Sequence, residues 1–356
     1  MKEIIINRQT KGTKLLRILV KLLPEADKNF IYKMLRKKNI TLNDKKASGG
    51  ELLKDGDSIK LYFSDETYAK FAGNACFEKQ LSEQDGYENA DKKAPALDES
   101  SIIFEDEDII LCNKPVGVLS QKAERSDFSM VEMITGYLSE KKEYDPSDAA
   151  GFKPAVTNRL DRNTSGIIAA GKSVAGLKFL SEGFKKRTFE KLYLCVVKGR
   201  LEVDLKLNGL WSKSSHGNKV VIKNVGTDAD GGFPREYFVK GNIPVQTTAV
   251  PLKTNGEISL CLVRLMTGKT HQIRAQMAEA GYPLLGDNKY GDKAFNKYYK
   301  RLYKIEFQLL HAFMLDIPGK GTFFADIPDN FEKLLKGEDL WVHGIREVFA
   351  AQLSRI

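Results

Sequence analysis

Residues 65–100 constrain this chain more than any other stretch. They hold nine acidic side chains against four lysines and keep no sustained apolar spacing, so they supply no face that could be buried against a core. We read them as an acidic linker that divides the 356 residues into a small unit over residues 1–64 and a larger one over residues 101–356. Charge divides with them. Residues 1–62 carry 15 Lys/Arg and 7 Asp/Glu, a net +8, the linker carries −5, and the remainder carries +6 of the total +9. A compact basic unit tethered to a mildly basic body suits a polyanionic partner, nucleic acid first among them.

Other classes are excluded. With 42% hydrophobic and 29% charged residues the composition is that of a globular protein. No run of eighteen apolar residues could cross a membrane, and the apolar part of "MKEIIINRQTKG" is too short for a signal-peptide core. Cys76, Cys112, Cys195 and Cys261 lie far apart and form no CxxC or Cys/His cluster. Buried free thiols, no metal site and a cytoplasmic location are the expectations. A monomer is expected.

In the first unit, "TKLLRILVKLLP" places Leu15, Leu16, Leu19, Leu22 and Leu23 on one helical stripe ended by Pro24. In "DKNFIYKMLRKKN", Asp27 is an N-cap candidate and Phe30, Ile31, Met34 and Leu35 keep helical spacing. Lys28, Lys33, Arg36, Lys37 and Lys38 surround that apolar stripe and gather toward the C-terminal end. The strand-like pieces "ITLND" and "SIKLYF" follow, separated by the turn "KDGD". This layout resembles the small RNA-binding domain first known from ribosomal protein S-four, with "KLLRIL" where that family usually has Arg-Leu-Asp. The resemblance implies RNA contact by Lys33, Arg36, Lys37 and Lys38.

Beyond residue 100, strands ("SIIFEDEDIILCNKP", "KLYLCVVKG", "ISLCLVRLMTG") mix with helices ("SVAGLKFLSEGFKKR", and "THQIRAQMAEAG" with Gly281 as its stop). Without repeats or strict βαβ alternation, the fold class is α+β, a mixed, largely antiparallel sheet with packed helices, preceded by the small α+β unit. "GIIAAGKS" (166–173) fits the P-loop pattern letter for letter, but "RNTS" rather than an apolar strand precedes it and "IIAA" fills the turn that should be polar or glycine-rich. We read it as a strand ended by Gly171, Lys172 and Ser173, which cap the next helix.

"NRLDRNTSG" (158–166) sets one carboxylate, Asp161, between Arg159 and Arg162, then supplies turn residues. Alone it reads as a surface salt bridge beside a turn. Taken with "NKPVGVLS" (113–120), "KLYLCVVKG" (191–199) and "RLMTGKTHQIRAQMAEAGYPLLGDNKYG" (264–291), in this order, the chain resembles the RluA-type pseudouridine synthases, in particular the RluC/RluD branch that carries an added N-terminal RNA-binding domain. The resemblance covers roughly residues 101–330. It implies cofactor-free and metal-free isomerisation of uridine, with the C–N glycosidic bond broken and a C–C bond made. Asp161 is the implied catalytic carboxylate; Asn158 stands where the family commonly has His. Arg274 is the implied ion-pair partner of Asp161, Tyr193 the residue stacking on the target base, and Arg159 an RNA contact near a flipped-out nucleotide. A carboxylate out of water is protonated unless a cation holds its charge, which gives the arginine its purpose.

Thr164, Ser165 and Gly166 would shape the loop. Lys269 and His271, at a helix start, suit phosphate contact or a structural role. His311 in "LLHAFML" reads as a satisfied buried histidine, and Lys114-Pro115 as loop architecture. Large-subunit rRNA is the expected substrate. The rivals are the same chemistry on tRNA, a catalytically inactive RNA-binding assembly factor, and an ATP-binding protein through Lys172. For residues 201–250 the sequence suggests a hairpin or loop bordering the RNA, or a plain surface insertion.

Overall fold

The computed structural model describes residues 1–72, 97–124, 127–148, 151–213, 219–225, 233 and 242–353. In the N-terminal unit, β1 (Lys2–Ile5), β2 (Ile40–Leu42), β3 (Lys45–Lys46) and β4 (Ser58–Leu61) form an antiparallel sheet ordered β1-β4-β2-β3. Helices α1 (Leu15–Leu22) and α2 (Lys28–Arg36) close one core with it, built on Leu15, Leu19, Ile31, Leu35, Ile40 and Ile59. Asp27 caps α2 by accepting the backbone N–H of Phe30 at 2.6 Å. Lys33, Arg36, Lys37 and Lys38 are exposed, because the apolar stripe of α2 faces the sheet.

The structure adds one strand and corrects one boundary. The isoleucines of the first residues are a strand paired with β4, a pairing across the whole unit that no local pattern encodes. Residues 65–72, assigned to the linker, form helix α3 (Asp65–Ala72), whose Phe71 packs on Phe30 with ring centroids 4.2 Å apart. The rest of the linker, residues 73–96 with Cys76, lies outside the described residues.

The larger unit is built on one sheet of β5 (Ile102–Glu105), β6 (Ile109–Lys114), β7 (Ala155–Val156), β8 (Ser165–Gly171), β9 (Glu190–Lys198), β10 (Leu205–Lys213), β11 (Val220–Asn224), β12 (Ile243–Thr254), β13 (Ile258–Leu265), β14 (Leu310–Ile317) and β15 (Gly321–Phe324). Its order is β11-β10-β12-β13-β9-β14-β8-β6-β5, with β15 on β14 and β7 on β8. Every pairing is antiparallel except β14 with β8, so the α+β, largely antiparallel expectation holds. Helices α4 (Met130–Glu140), α5 (Val174–Lys186), α6 (Gln272–Glu279), α7 (Lys293–Tyr303), α8 (Asp329–Gly337) and α9 (Ile345–Leu353) cover it.

Strand β8 explains "GIIAAGKS". Ile168 and Ala170 pack against α4, while Ile167 and Ala169 turn to α5, so a strand buried on both faces reads as a continuous apolar run. Ser173 caps α5 by accepting the Gly176 N–H. The buried Lys172 ammonium is held by Glu105 at 2.5 Å, Glu143 at 2.6 Å and the Asp106 carbonyl at 2.9 Å. It is spent on the fold. Cys112, Cys195 and Cys261 are buried free thiols. From the unassigned stretch 201–250, β10 and β11 pair as a hairpin whose far side continues into β12; most of its connecting residues lie outside the described ones.

Candidate active site

The segment carrying Asp161 is fastened before β8 begins. The Asn158 amide donates to the Ile167 carbonyl and accepts the Ala169 N–H, so this asparagine does the work of a missing strand pairing. Ser120 brackets Leu160, its hydroxyl donating to the Leu160 carbonyl and accepting the Leu160 N–H, both at 2.9 Å. Gly166 sits at φ +108°, and a Cβ there would lie 2.3 Å from the Ala312 carbonyl oxygen, so only glycine lets β8 approach β14.

Lys114 ties "NKPVGV" to the same segment. Fully buried, its ammonium donates to the carbonyls of Pro115 (2.9 Å), Val118 (2.8 Å) and Arg162 (3.0 Å). Burial pulls its pKa down to about 7, against the opposing charge of Asp161. Arg162 closes the loop from the other side, Nε donating to the Gly117 carbonyl.

Helix α6 brings the counter-charge. His271 takes the left-handed conformation (φ 55°) and turns the chain from β13 into the helix. Arg274, 7% exposed, then donates Nη1 to Asp161 Oδ2 at 2.9 Å. Its other edge is occupied: Nε and Nη2 donate to the two oxygens of Asp287 at 2.7 and 3.0 Å. Asp287 is wholly buried and also accepts the N–H groups of Lys289 and Tyr290. Burial acts against both charges. For Arg274 the hydrogen bonds and charge of Asp287, then of Asp161, more than reverse it and raise its pKa. For Asp287 the guanidinium and the two backbone donors outweigh burial and hold the carboxyl below its usual range.

His271 places Nε2 3.8 Å from Asp161 Oδ2, and its Nδ1 lies 3.0 Å from the Tyr290 hydroxyl. That hydroxyl also accepts the Val220 N–H. Burial, partly offset by Asp161, lowers the His271 pKa and favours a neutral imidazole.

Tyr193 enters from β9. The alternation of that strand sends Leu192, Leu194 and Val196 into the core under α7–α9, and Tyr193 to the opposite face with Leu160 of the Asp161 segment and Ile273 of α6. Burial, then the charge of Asp161, push the tyrosine pKa up, so the phenol stays protonated.

Asp161, Tyr193 and Arg274 are thus brought together from three distant parts of the chain. Arg159 and Lys269 are exposed and stand outside the buried cluster, and Lys33, Arg36, Lys37 and Lys38 belong to the N-terminal unit. His311 is buried and satisfied, its Nδ1 2.8 Å from the Ser165 hydroxyl. Sequence reasoning missed Asp287 and Tyr290. The signal was present in "GDNKYG", but nothing local says that its aspartate serves an arginine thirteen residues back. The Asp161 side chain keeps 22% of its surface open, so one charged, oriented carboxylate faces an opening beside a buried phenol.

Residues 108–279 match the family model described as RNA pseudouridylate synthase. That span holds Asp161, Tyr193 and Arg274. The chain is a pseudouridine synthase. The synthase is 28% identical over 331 residues to an uncharacterized RNA pseudouridine synthase of Mycoplasma genitalium, covering 92% of each chain. It is 27% identical to ribosomal large subunit pseudouridine synthase C of Haemophilus influenzae, over 88% of this chain and 86% of that one. Against ribosomal large subunit pseudouridine synthase D of Borreliella burgdorferi the identity is 29%, over 65% and 66%. In structure the synthase is similar to human RNA pseudouridylate synthase domain containing 4 (TM-score 0.54, 17% identity, 68% of this chain and 94% of that one). It is also similar to domain containing 1 (TM-score 0.51, 22% identity, 70% and 93%). These two likenesses concern the fold.

Proposed function

We propose that this synthase isomerises uridines of large-subunit ribosomal RNA, with Asp161 as its catalytic carboxylate. The observation that carries the assignment is the triad of charges: Asp161 is open to the cleft on one side and held by Arg274 on the other, and Arg274 is itself clamped by Asp287. A carboxylate fixed in place by a guanidinium is positioned to attack the sugar or to stabilise its cationic character. The C1′–N1 bond breaks, uracil turns, and C1′–C5 forms. N1 regains a proton and C5 loses one, so the reaction is redox-neutral and balanced by one uridine alone.

Tyr193 stacks on the flipped base and, protonated, serves as a proton relay. Arg159, exposed beside the carboxylate, contacts RNA near the displaced nucleotide, and Lys269 contacts a phosphate. The basic N-terminal unit, through Lys33, Arg36, Lys37 and Lys38, raises the local concentration of structured RNA at the cleft. Relatives named for the large ribosomal subunit support rRNA as the substrate.

Pseudouridine mapping of rRNA and tRNA from cells lacking the gene, complemented by wild type or Asp161→Asn, tests the proposal. Large-subunit sites lost on deletion and restored by wild type alone are expected. Lost sites confined to tRNA would move the substrate, and sites restored by the variant would overturn the role of Asp161.

A further inference from the structure

Helix α7 carries a basic stripe that the fold does not use. Lys293, Lys297 and Arg301 stand four residues apart on one helical face, Lys304 follows as the left-handed residue that caps the helix, and all four are exposed. Lys300 sits beside them and is the one cation of the group with an ion pair recorded among the described residues, to Glu306 at 3.1 Å. Residues 293–304 contain no carboxylate at all. Like charges at this spacing repel, so the stripe lowers the stability of its own helix. The opposite face is well made: Tyr299 is fully buried and Phe295 and Tyr303 pack against the same core. The stripe therefore sits on a rigid support.

Two further features make it a surface for a flexible polyanion. Tyr298 is 48% exposed among the cations, presenting an aromatic ring to solvent, and with Lys297, Arg301 and Lys304 it lines an open depression of about 730 Å³. Cations interleaved with an exposed aromatic suit phosphates flanked by unpaired bases. The helix is also fastened to the site. The Asn296 amide accepts the Gly286 N–H at 2.8 Å and donates to the Asp287 carbonyl at 3.0 Å, and Asp287 is the residue that clamps Arg274.

We propose that the outer face of α7, through Lys297, Arg301 and Lys304 with Tyr298, is a second RNA-docking surface, gripping the phosphate backbone away from the target uridine. The inference rests on RNA being the substrate. It differs from the Asp161 site in predicting effects on affinity and salt dependence alone.

The test is filter binding of deproteinised large-subunit rRNA to the full-length protein, wild type and Lys297→Glu/Arg301→Glu/Lys304→Glu, across a salt series, with pseudouridine formation measured alongside. The variant is expected to bind at least about tenfold more weakly, and the slope of log affinity against log salt is expected to fall by about two to three for three lost phosphate contacts. The rate at saturating RNA should stay at the wild-type value. Circular dichroism and a thermal melt confirm the fold, and Lys297→Gln/Arg301→Gln/Lys304→Gln, without charge reversal, should show a smaller shift in the same direction. Unchanged affinity and slope in a folded variant would overturn the proposal, as would wild-type binding that does not depend on salt. If wild type binds RNA but forms no pseudouridine, the catalytic proposal fails while the binding data still decide this one.

Discussion

Arg274 is bound to Asp287 through two parallel hydrogen bonds, Nε–Oδ2 at 2.7 Å and Nη2–Oδ1 at 3.0 Å, and this clamp leaves a single nitrogen, Nη1, for Asp161. A guanidinium held by one carboxylate cannot rotate away from the other. Asp287→Asn should therefore lower the single-turnover rate by about 100-fold, in the range that misplaced catalytic groups cost. Affinity for RNA should stay within about threefold. Removing one partner of a buried ion pair should also cost about 3 kcal/mol in urea unfolding. A wild-type rate in a folded variant would show that the clamp is structural only.

Asp161→Asn should reduce pseudouridine formation by about 10⁴-fold or more, since the carboxylate has no substitute among the described residues. Arg274 keeps Asp287, so the loss of stability should be only about 1–2 kcal/mol, that of one charged hydrogen bond. Gel shift with the substrate RNA should give wild-type affinity, separating chemistry from binding.

Gly166→Ala tests the approach of β8 to β14. A methyl group 2.3 Å from the Ala312 carbonyl oxygen, at φ +108°, must displace backbone, and about 3 kcal/mol or more of stability should be lost. Denaturant titration reads this directly. Activity should fall with it, because Asp161 lies five residues before Gly166.

His311 makes a pH prediction. Burial lowers its pKa to about 4, and the ring accepts the Ser165 hydroxyl on Nδ1 while Nε2 faces the Ala325 carbonyl, an arrangement for a neutral imidazole. The unfolded chain binds a proton near pH 6.5 that the folded chain refuses until about pH 4. Stability is thus fully present above pH 6.5 and declines as pH falls through that window, by about 3 kcal/mol from this group. Chemical denaturation of wild type and His311→Asn between pH 7 and 4 should show a slope in wild type that the variant lacks in this part.

Lys172→Met should cost about 2 kcal/mol, that of a charged hydrogen bond, since Lys141 still pairs with both Glu105 and Glu143. Isothermal titration should find no ATP binding in either protein, because the lysine that completes the P-loop letters is buried in those ion pairs.

Much of this molecule was legible without coordinates, and the legible part is local. Spacing in "TKLLRILVKLLP", the cap at Asp27, the stop at Gly281 and the strand hidden in "GIIAA" all depend on neighbours within a turn or a pleat, which is the range over which backbone and side-chain sterics act. The segments that assemble around Asp161 were visible only through their joint resemblance, in order, to the pseudouridine synthases; read singly, each is a turn or a surface salt bridge.

Contacts across long separations were decided by the tertiary structure alone. The first strand pairs with β4 more than fifty residues later, and α3 packs where the sequence shows only acidic, polar chain. Asp287 and Tyr290 gain their meaning when the loop after α6 folds back over Arg274 and His271. A buried ion pair is chosen by geometry and desolvation, and neither is a property of a residue type. Composition could supply the aspartates and the arginine; only closing the sheet could bring Asp161 and Asp287 within hydrogen-bond reach of Arg274.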